Sequence, residues 1–185
     1  VPDHPVATAL LAAYGGPVAA PSANRFGRVS PTTAAHVRAD LDGDVDLVLD
    51  GGACRVGVES TIVDVSGPEP AVLRTGGISE ERLRAIVGHP LPRRTEGEVA
   101  APGTLASHYA PRAEVVLVAP GEEDERAARF GAEGRRVEVL ALAADAATDA
   151  RDLYARLRAA DVVGADVIVA RSEEHTSELQ SRGLI

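Results

Sequence analysis

Three polar clusters, placed where predicted β-strands end or are interrupted, carry the side chains best suited to chemistry. The first is Ser22 and Asn24 with the nearby Ser30, the second covers residues 59–61, and the third is Arg74. In α/β proteins, ligands bind at the carboxyl ends of the strands. We therefore expect the three clusters to converge on one pocket.

The residue types in these clusters favour a phosphorylated ligand. The hydroxyls of Ser22, Ser30 and Ser60 can bind phosphate oxygens or a substrate hydroxyl without adding charge. A small side chain such as Ala20 lets a ligand approach the backbone, and the planar fork of Arg74 suits bidentate contact with phosphate. Together they predict a site for an anionic ligand.

Simpler interpretations stay open for each residue taken singly. Ser22 and Asn24 follow Pro21, a setting typical of turns in which such side chains bond their own backbone. Arg74 alone is typical of a solvated strand end, and Glu59 is interpreted as structural rather than catalytic. The histidines lack the paired spacing of a metal site, so no metal ligand is predicted.

Helices and short strands are predicted for the first half of the chain. An apolar stripe predicts a helix over residues 6–13 that Gly15 ends. Ser30 and Pro31 predict the start of a second helix, with Ser30 as its cap, and Ser79 before two glutamates predicts a third. Apolar runs predict strands over residues 17–20, 45–49, 56–65 and 71–74.

The second half shows a different pattern. Residues 92–112 have no sustained periodicity and are predicted to be a long linker or lid. Beyond them strand and helix alternate, which predicts a small doubly wound parallel sheet. Its predicted elements are strands over 114–119, 136–142 and 167–170 and helices over 122–130 and 147–160.

Composition limits the partners and the compartment. The 185 residues carry a formal net charge of −9, which weighs against a nucleic-acid partner because Lys and Arg supply most of that affinity. The single cysteine, Cys54, cannot form an internal disulfide. No apolar run reaches the ~20 residues of a membrane span. These features predict a cytoplasmic protein without a membrane segment.

The two ends of the sequence lead to two further expectations. The chain has no Met and begins at Val1, so we expect it to be a fragment of a longer translation product. Residues 171–185 differ in composition from the rest, and 171–181 resemble a translated sequencing adapter. We interpret 171–185 as a non-native tail and leave it out of the fold. A natural polar tail is the alternative.

Several short motifs occur in an ordered series. They are Pro-Ser-Ala-Asn at 21–24, Ser-Pro-Thr at 30–32, Leu-Asp-Gly-Gly at 49–52, Gly-Val-Glu-Ser-Thr-Ile-Val-Asp at 57–64, Leu-Arg at 73–74 with Gly-Ile at 77–78, Pro-Gly at 102–103 and His-Tyr-Ala-Pro at 108–111. In type, order and spacing this series resembles the threonylcarbamoyl-AMP synthase family. The resemblance covers residues 1–112 closely and 113–170 loosely.

The resemblance implies an α/β fold in three parts. Residues 1–91 would be the carboxy-terminal half of a YrdC-like twisted-sheet catalytic domain, and 92–112 a linker or lid. Residues 113–170 would form a small, incomplete Rossmann-like doubly wound domain. Enzymes of this family condense L-threonine, bicarbonate and ATP into L-threonylcarbamoyl-AMP and pyrophosphate, for the threonylcarbamoyladenosine of tRNA.

The resemblance also implies residue roles. ATP with Mg²⁺ is a substrate, no tightly bound cofactor is expected, and the product passes to a downstream threonylcarbamoyl-transferase machinery. The acidic charge weighs against direct tRNA binding by this chain. The implied contacts are Ala20 and Ser60 for L-threonine, and Ser22, Ser30, Arg74 and Tyr109 for ATP, with Asn24 in the same motif as a possible further site residue.

The sequence departs from the family pattern at Phe26, Thr75 and Thr104, where the family usually has Ser, Pro and Met. The family's Lys-x-Arg phosphate motif is absent, and the chain has no Lys, so we expect it to be inactive alone. Two alternatives are a YrdC-type nucleic-acid-binding module and a carbamoyl-transfer maturation protein. The acidic charge opposes the first alternative, and the linker with its α/β extension favours the synthase.

Overall fold

Helices and strands follow one another over residues 2–94, 110–141 and 146–171, the parts of the chain that the computed structural model describes. In chain order they are α1 (Pro5–Tyr14), α2 (Ala34–Leu41), β1 (Ile62–Asp64), β2 (Ala71–Arg74), α3 (Glu80–Val87), β3 (Glu114–Val118), α4 (Glu123–Ala132), β4 (Val137–Leu140), α5 (Ala146–Val163) and β5 (Val167–Arg171).

Local capping signals explain the limits of two helices. Gly15 has φ 74°, a conformation that glycine adopts freely, and its N–H donates to Leu11 O at the end of α1. The Ser79 hydroxyl accepts from Arg82 N at the start of α3, where Glu80 and Glu81 occupy the positive end of the helix dipole. Both predicted helices are confirmed.

The predicted start of the second helix is wrong by three residues. Helix α2 begins at Ala34, and its cap is Thr33, whose side chain accepts from His36 N at 3.2 Å. Ser30 does not cap it: the helix begins four residues after Ser30, whose hydroxyl donates to the carboxylate of Glu59. A long-range acceptor thus replaces the local capping role of Ser30.

Two predicted strands are absent from the described structure, and a third is shorter than predicted. Residues 17–20 and 45–49 form no strand, and the predicted strand over 56–65 is reduced to β1. Leu47 in the second of these runs is exposed. A strand exists only where a neighbour satisfies its backbone N–H and C=O groups, so an apolar run alone does not make one.

The first sheet is an antiparallel pair of short strands. β1 pairs with β2, with Ile62 opposite Arg74 and Asp64 opposite Ala71. The register shifts between Ile62 and Val63, where the strand joins the polar segment that precedes it. This pairing brings residues 59–61 next to the end of β2.

The second sheet is parallel, with strand order β3-β5-β4. The connection from β3 to β4 crosses the position of β5, and the connection from β4 to β5 returns to that central position. Crossovers of one hand that run in opposite directions place their helices on opposite faces. In agreement, Val169 of the central strand β5 packs with Phe130 of α4, whereas Ile168 packs with Leu157 of α5. The doubly wound arrangement is confirmed.

Helix α5 also joins the two halves of the chain. Its buried residues Tyr154 and Leu157 share one apolar cluster with Ile168 of β5 and with Val29 of the first half. None of the helices in the described part of the chain has the length and apolar character that crossing a bilayer requires.

Candidate functional site

The polar segment before β1 is held by the turn that follows β2. Gly77 N donates to Glu59 O at 2.9 Å, and Gly76 N donates to the hydroxyl of Thr61 at 2.9 Å. A Cβ at Gly76 would overlap the backbone of Glu59, Ser60 and Thr61, so this close approach requires glycine. The turn therefore positions the second and third predicted clusters against each other.

Four side chains of the three clusters form one connected network. Ser30 Oγ donates to Glu59 Oε1 at 2.5 Å, and Glu59 Oε2 lies 3.7 Å from Arg74 Nη2. The same Nη2 donates to Ser60 Oγ at 3.0 Å, and Arg74 Nε donates to Ser60 O at 3.1 Å. The Arg74 side chain is only 11% exposed, so it is not a solvated strand end.

A small cavity of about 170 Å³ lies beside this network. Ser22, Ser30 and Glu59 line it, together with Tyr154 of α5. Two of these residues belong to the first predicted cluster and one to the second, and Glu59 links them to Arg74. Among the described residues, Ala20 does not line the cavity and is exposed two residues before Ser22.

Asn24 braces the loop that carries Ser30. Its Nδ2 donates to Arg25 O at 3.0 Å and to Arg28 O at 2.9 Å, which is the turn role that its sequence context also allows. Its Oδ1 is buried and accepts no hydrogen bond from the described residues. Asn24 thus shapes the loop next to the cavity.

His36 stabilises the start of α2, and it does so in its neutral form. Its Nδ1 accepts from Thr32 N at 3.2 Å, which requires an unprotonated nitrogen there. Burial lowers the pKa of His36 from its ordinary value, and the nearby positive charge of Arg158 lowers it further, against a smaller opposite effect of Asp40. Thr32 in turn accepts from Cys54 N at 2.8 Å through its carbonyl.

Both ends of the central linker are tied to the first half. On one side, Arg94 N donates to Val72 O at 2.9 Å, and Arg94 Nη1 lies 2.7 Å from the Asp64 carboxylate. On the other side, Ala110 N donates to Gly27 O at 3.1 Å. Tyr109 and the predicted lid between these anchors lie outside the described residues.

Sequence reasoning underrated Glu59 and did not single out Tyr154 or Arg158. Glu59 joins Ser30 to Arg74, so its structural role is at the centre of the network. Tyr154 and Arg158 lie on α5, far from the clusters in sequence, where helical periodicity indicates packing but not a partner. No local signal in the sequence identifies their contact with the first half.

Hydroxyls, a guanidinium and a carboxylate in one connected set suit an anionic ligand. The Arg74 fork supplies positive charge, and the hydroxyls donate without adding charge. The Glu59 carboxylate holds both donors in place, at the cost of a negative charge close to any phosphate. Such a site can bind and orient a phosphorylated ligand.

Two family models match the chain. Residues 1–76 match a model of Sua5, YciO and YrdC proteins described as telomere recombination. Residues 78–181 match the carboxy-terminal domain of threonylcarbamoyl-AMP synthase. The second match spans more than half of the chain.

Full-length relatives are similar over nearly the whole chain. Threonylcarbamoyl-AMP synthases of Pyrococcus abyssi and Bacillus subtilis are 37% and 36% identical to it over 196 residues. The matches cover 94% and 93% of this chain but 58% and 56% of those proteins. The chain therefore spans less than two thirds of the length of either relative.

A solved structure shares the fold. The crystal structure of P. abyssi Sua5 complexed with L-threonine superimposes with a TM-score of 0.84 and 35% sequence identity. The superposition covers all of this chain and 61% of the other. With the match to the carboxy-terminal domain, this places the protein: the chain belongs to the threonylcarbamoyl-AMP synthase family.

Proposed function

We propose that this chain contributes to the synthesis of L-threonylcarbamoyl-AMP from L-threonine, bicarbonate and ATP, with release of pyrophosphate and water. The observation that carries the proposal is the connected set Ser30, Glu59, Arg74 and Ser60. It occurs in a chain whose structural relative, at 35% identity, is complexed with L-threonine.

The two proposed substrate sites share the network that Glu59 connects. The carboxylate connects Ser30 with Arg74, which in turn donates to Ser60. Mg²⁺ enters with ATP as part of the substrate. The proposed contacts are Ala20 and Ser60 for L-threonine, and Ser22, Ser30, Arg74 and Tyr109 for ATP.

The chemistry proceeds in two bond-forming steps. The threonine amine attacks bicarbonate, and loss of water leaves a carbamate on the nitrogen. A carbamate oxygen then attacks the α-phosphorus of ATP, and the bond to pyrophosphate breaks. Both steps depend on placing the reactants in line and on neutralising negative charge. Hydrogen-bond donors that the protein holds in place can do this without a covalent intermediate on the enzyme.

Arg74 is proposed to bind ATP next to Ser60, the residue assigned to L-threonine. Its guanidinium donates to Ser60 and lies 3.7 Å from Glu59, which accepts from Ser30, another proposed ATP contact. A guanidinium between a carbamate and a triphosphate reduces the repulsion between the two anions as they approach. Arg74 is therefore assigned to align the carbamate with the α-phosphate.

The product is a mixed anhydride that can donate its threonylcarbamoyl group, and the proposed acceptor is a transferase machinery that modifies tRNA. The net charge of −9 weighs against direct tRNA binding by this chain. We place the activity in the cytoplasm, where ATP and tRNA are present.

Pyrophosphate release tests the proposal. The assay uses the chain alone and a completed chimera, in which the parts of the P. abyssi relative that the chain does not cover are joined to it. The chimera is expected to release pyrophosphate only when L-threonine, bicarbonate and ATP are all present. The chain alone is expected to release none, because it contains no Lys for the family's Lys-x-Arg phosphate motif.

A different result would contradict the proposal. If the completed chimera folds and releases no pyrophosphate under these conditions, the site does not form threonylcarbamoyl-AMP. Retention of an oligonucleotide by that inactive chimera would favour the alternative of a nucleic-acid-binding module.

A further inference from the structure

Helix α5 of the second half forms one wall of the cavity in the first half. Tyr154 is 2% exposed and lines the cavity together with Ser22, Ser30 and Glu59. One turn earlier, the carbonyl of Arg151 lies so close to Gly57 that a Cβ at Gly57 would overlap it. The helix backbone is therefore seated directly on the segment that leads to Glu59.

Arg158 ties the same helix to α2 of the first half. Its Nη1 and Nη2 donate to the two carboxylate oxygens of Asp40 on α2 at 2.8 and 2.7 Å, which is a bidentate pair. The two side chains are 12% and 16% exposed. Nη2 also donates to His36 O at 3.3 Å.

One contact of Arg158 reaches the site itself. Nη1 also donates to Val29 O at 2.7 Å, and the next residue is Ser30. Both are buried, and the Ser30 hydroxyl is the donor to Glu59. A guanidinium fixed by a carboxylate on α2 thus holds the peptide group that carries a cavity side chain, and a small shift of that peptide would move the hydroxyl.

We propose that Arg158 is a positioning residue that sets the place of Ser30, so that the affinity for ATP depends on a helix of the second half. This inference rests on the proposed function, in which Ser30 contacts ATP. It assigns the second half a part in the site, through Arg158 and through Tyr154 in the cavity wall. Among the described residues, Arg158 bonds to neither Ala20 nor Ser60, the two proposed L-threonine contacts, and Ser60 is linked to Ser30 only through Arg74 and Glu59.

The experiment compares three variants in the completed chimera. Arg158→Met together with Asp40→Leu removes both partners of the ion pair, which avoids leaving one charge buried and alone. Arg158→Lys keeps the positive charge but cannot reproduce the planar fork that serves Asp40 and Val29 together. Arg129→Met, at an exposed pair with Glu133 on α4, is the matched control.

The expected result separates the two ligands. In the double variant, the dissociation constant for ATP rises about tenfold and that for L-threonine stays within about twofold, as measured by calorimetric titration. The KM for ATP rises in parallel in the pyrophosphate assay. Arg158→Lys gives a smaller change in the same direction, and Arg129→Met leaves both constants as they are.

Two outcomes overturn the inference. One is a folded double variant or Arg158→Lys variant that binds ATP as tightly as the unchanged chimera. The other is an equal loss of affinity for both ligands, which would show that Arg158 only stabilises the fold. The unchanged chimera is measured first: if it neither binds ATP nor forms product, the proposed function fails, and the positioning role fails with it.

Discussion

The hydroxyl of Ser30 donates to Oε1 of Glu59 at 2.5 Å, across 29 residues of sequence. Ser30 is 8% exposed and Glu59 is half-buried, so little water can reach either group as an alternative hydrogen-bond partner. The other oxygen of Glu59 faces Arg74 at 3.7 Å. One carboxylate therefore sets the positions of a hydroxyl and a guanidinium that come from different segments of the chain.

Replacement of Glu59 is expected to weaken ATP binding. Glu59→Ala removes the carboxylate that positions Ser30 and Arg74, and we expect this to outweigh the relief of charge repulsion and to weaken ATP binding by about 1–3 kcal/mol. Glu59→Gln keeps an acceptor for Ser30 and should lie between Ala and the unchanged protein. Titration of the completed chimera with ATP measures the effect, and unchanged affinity in Glu59→Ala would show that the network does not serve ATP.

Arg74 and Ser60 are expected to act on different ligands. Arg74→Ala should weaken ATP binding by roughly 1.5–3 kcal/mol, the value of a hydrogen bond to a charged group, and affect L-threonine much less. Ser60→Ala should do the reverse. The exposed Arg38→Ala on α2 serves as the control. Equal effects of both substitutions on both ligands would mean that folding was measured and not contact.

Gly76 is expected to tolerate no side chain. Gly76→Ala places a Cβ on the backbone of Glu59 and Ser60, so we expect destabilisation of about 1–3 kcal/mol or more, as for overpacking. The matched control is Gly131→Ala in α4, where a Cβ meets nothing within 4 Å. That change should stabilise the helix by roughly 0.5–1 kcal/mol. Urea unfolding of the completed chimera gives both values, and a neutral Gly76→Ala would contradict the close approach.

The stability of the fold should depend on His36 between pH 7.5 and 5.5. Its pKa is lowered in the folded state, first by burial and then by the charge of Arg158, from an ordinary value of 6.5. Below 6.5 the unfolded chain takes up a proton that the folded chain takes up only at lower pH, so stability falls as the pH decreases through this range. His36→Asn keeps an acceptor for Thr32 N and removes the titration.

Urea midpoints at several pH values test this prediction. The unchanged chimera should lose more stability between pH 7.5 and 5.5 than His36→Asn does, because the carboxylates titrate alike in both proteins. Parallel curves for the two proteins would show that His36 is not responsible for the dependence.

The lid predicted over residues 92–112 and the role of Tyr109 stay predictions. Arg94 is bonded to Val72 and Asp64, so cleavage next to it does not report on the lid. The glutamates at 96 and 98 offer better sites for a Glu-specific protease. Cleavage there should slow when ATP and L-threonine are added to the completed chimera. Cleavage that ignores the ligands, with unchanged ATP affinity in Tyr109→Ala, would leave the segment as a tether.

The sequence by itself determined the elements that local rules control. The start of α3 follows from Ser79 with two acidic residues behind it, and the alternating elements beyond residue 113 follow from periodicity. The sequence predicted that the three polar clusters converge, and a network does link Ser30, Glu59 and Arg74. The rule behind that prediction, that ligands bind where strands end, does not describe these clusters, because residues 17–20 form no strand and residues 59–61 precede β1. The residue type alone shows what chemistry a hydroxyl, carboxylate or guanidinium group can perform. The sequence therefore indicates that chemistry even where the partners of the group are unknown.

The tertiary structure decided which residues and segments pair with each other. Ser30 lies in a sequence typical of a helix cap, yet its hydroxyl donates to Glu59, and Thr33 caps α2. The run at 45–49 has the sequence of a strand, but no described neighbour pairs with it. Arg158 meets Asp40 across 118 residues and Val29 across 129. Such contacts depend on how whole helices and sheets pack against each other. Only in the folded chain is a distant partner close enough to compete with a local one for the same side chain.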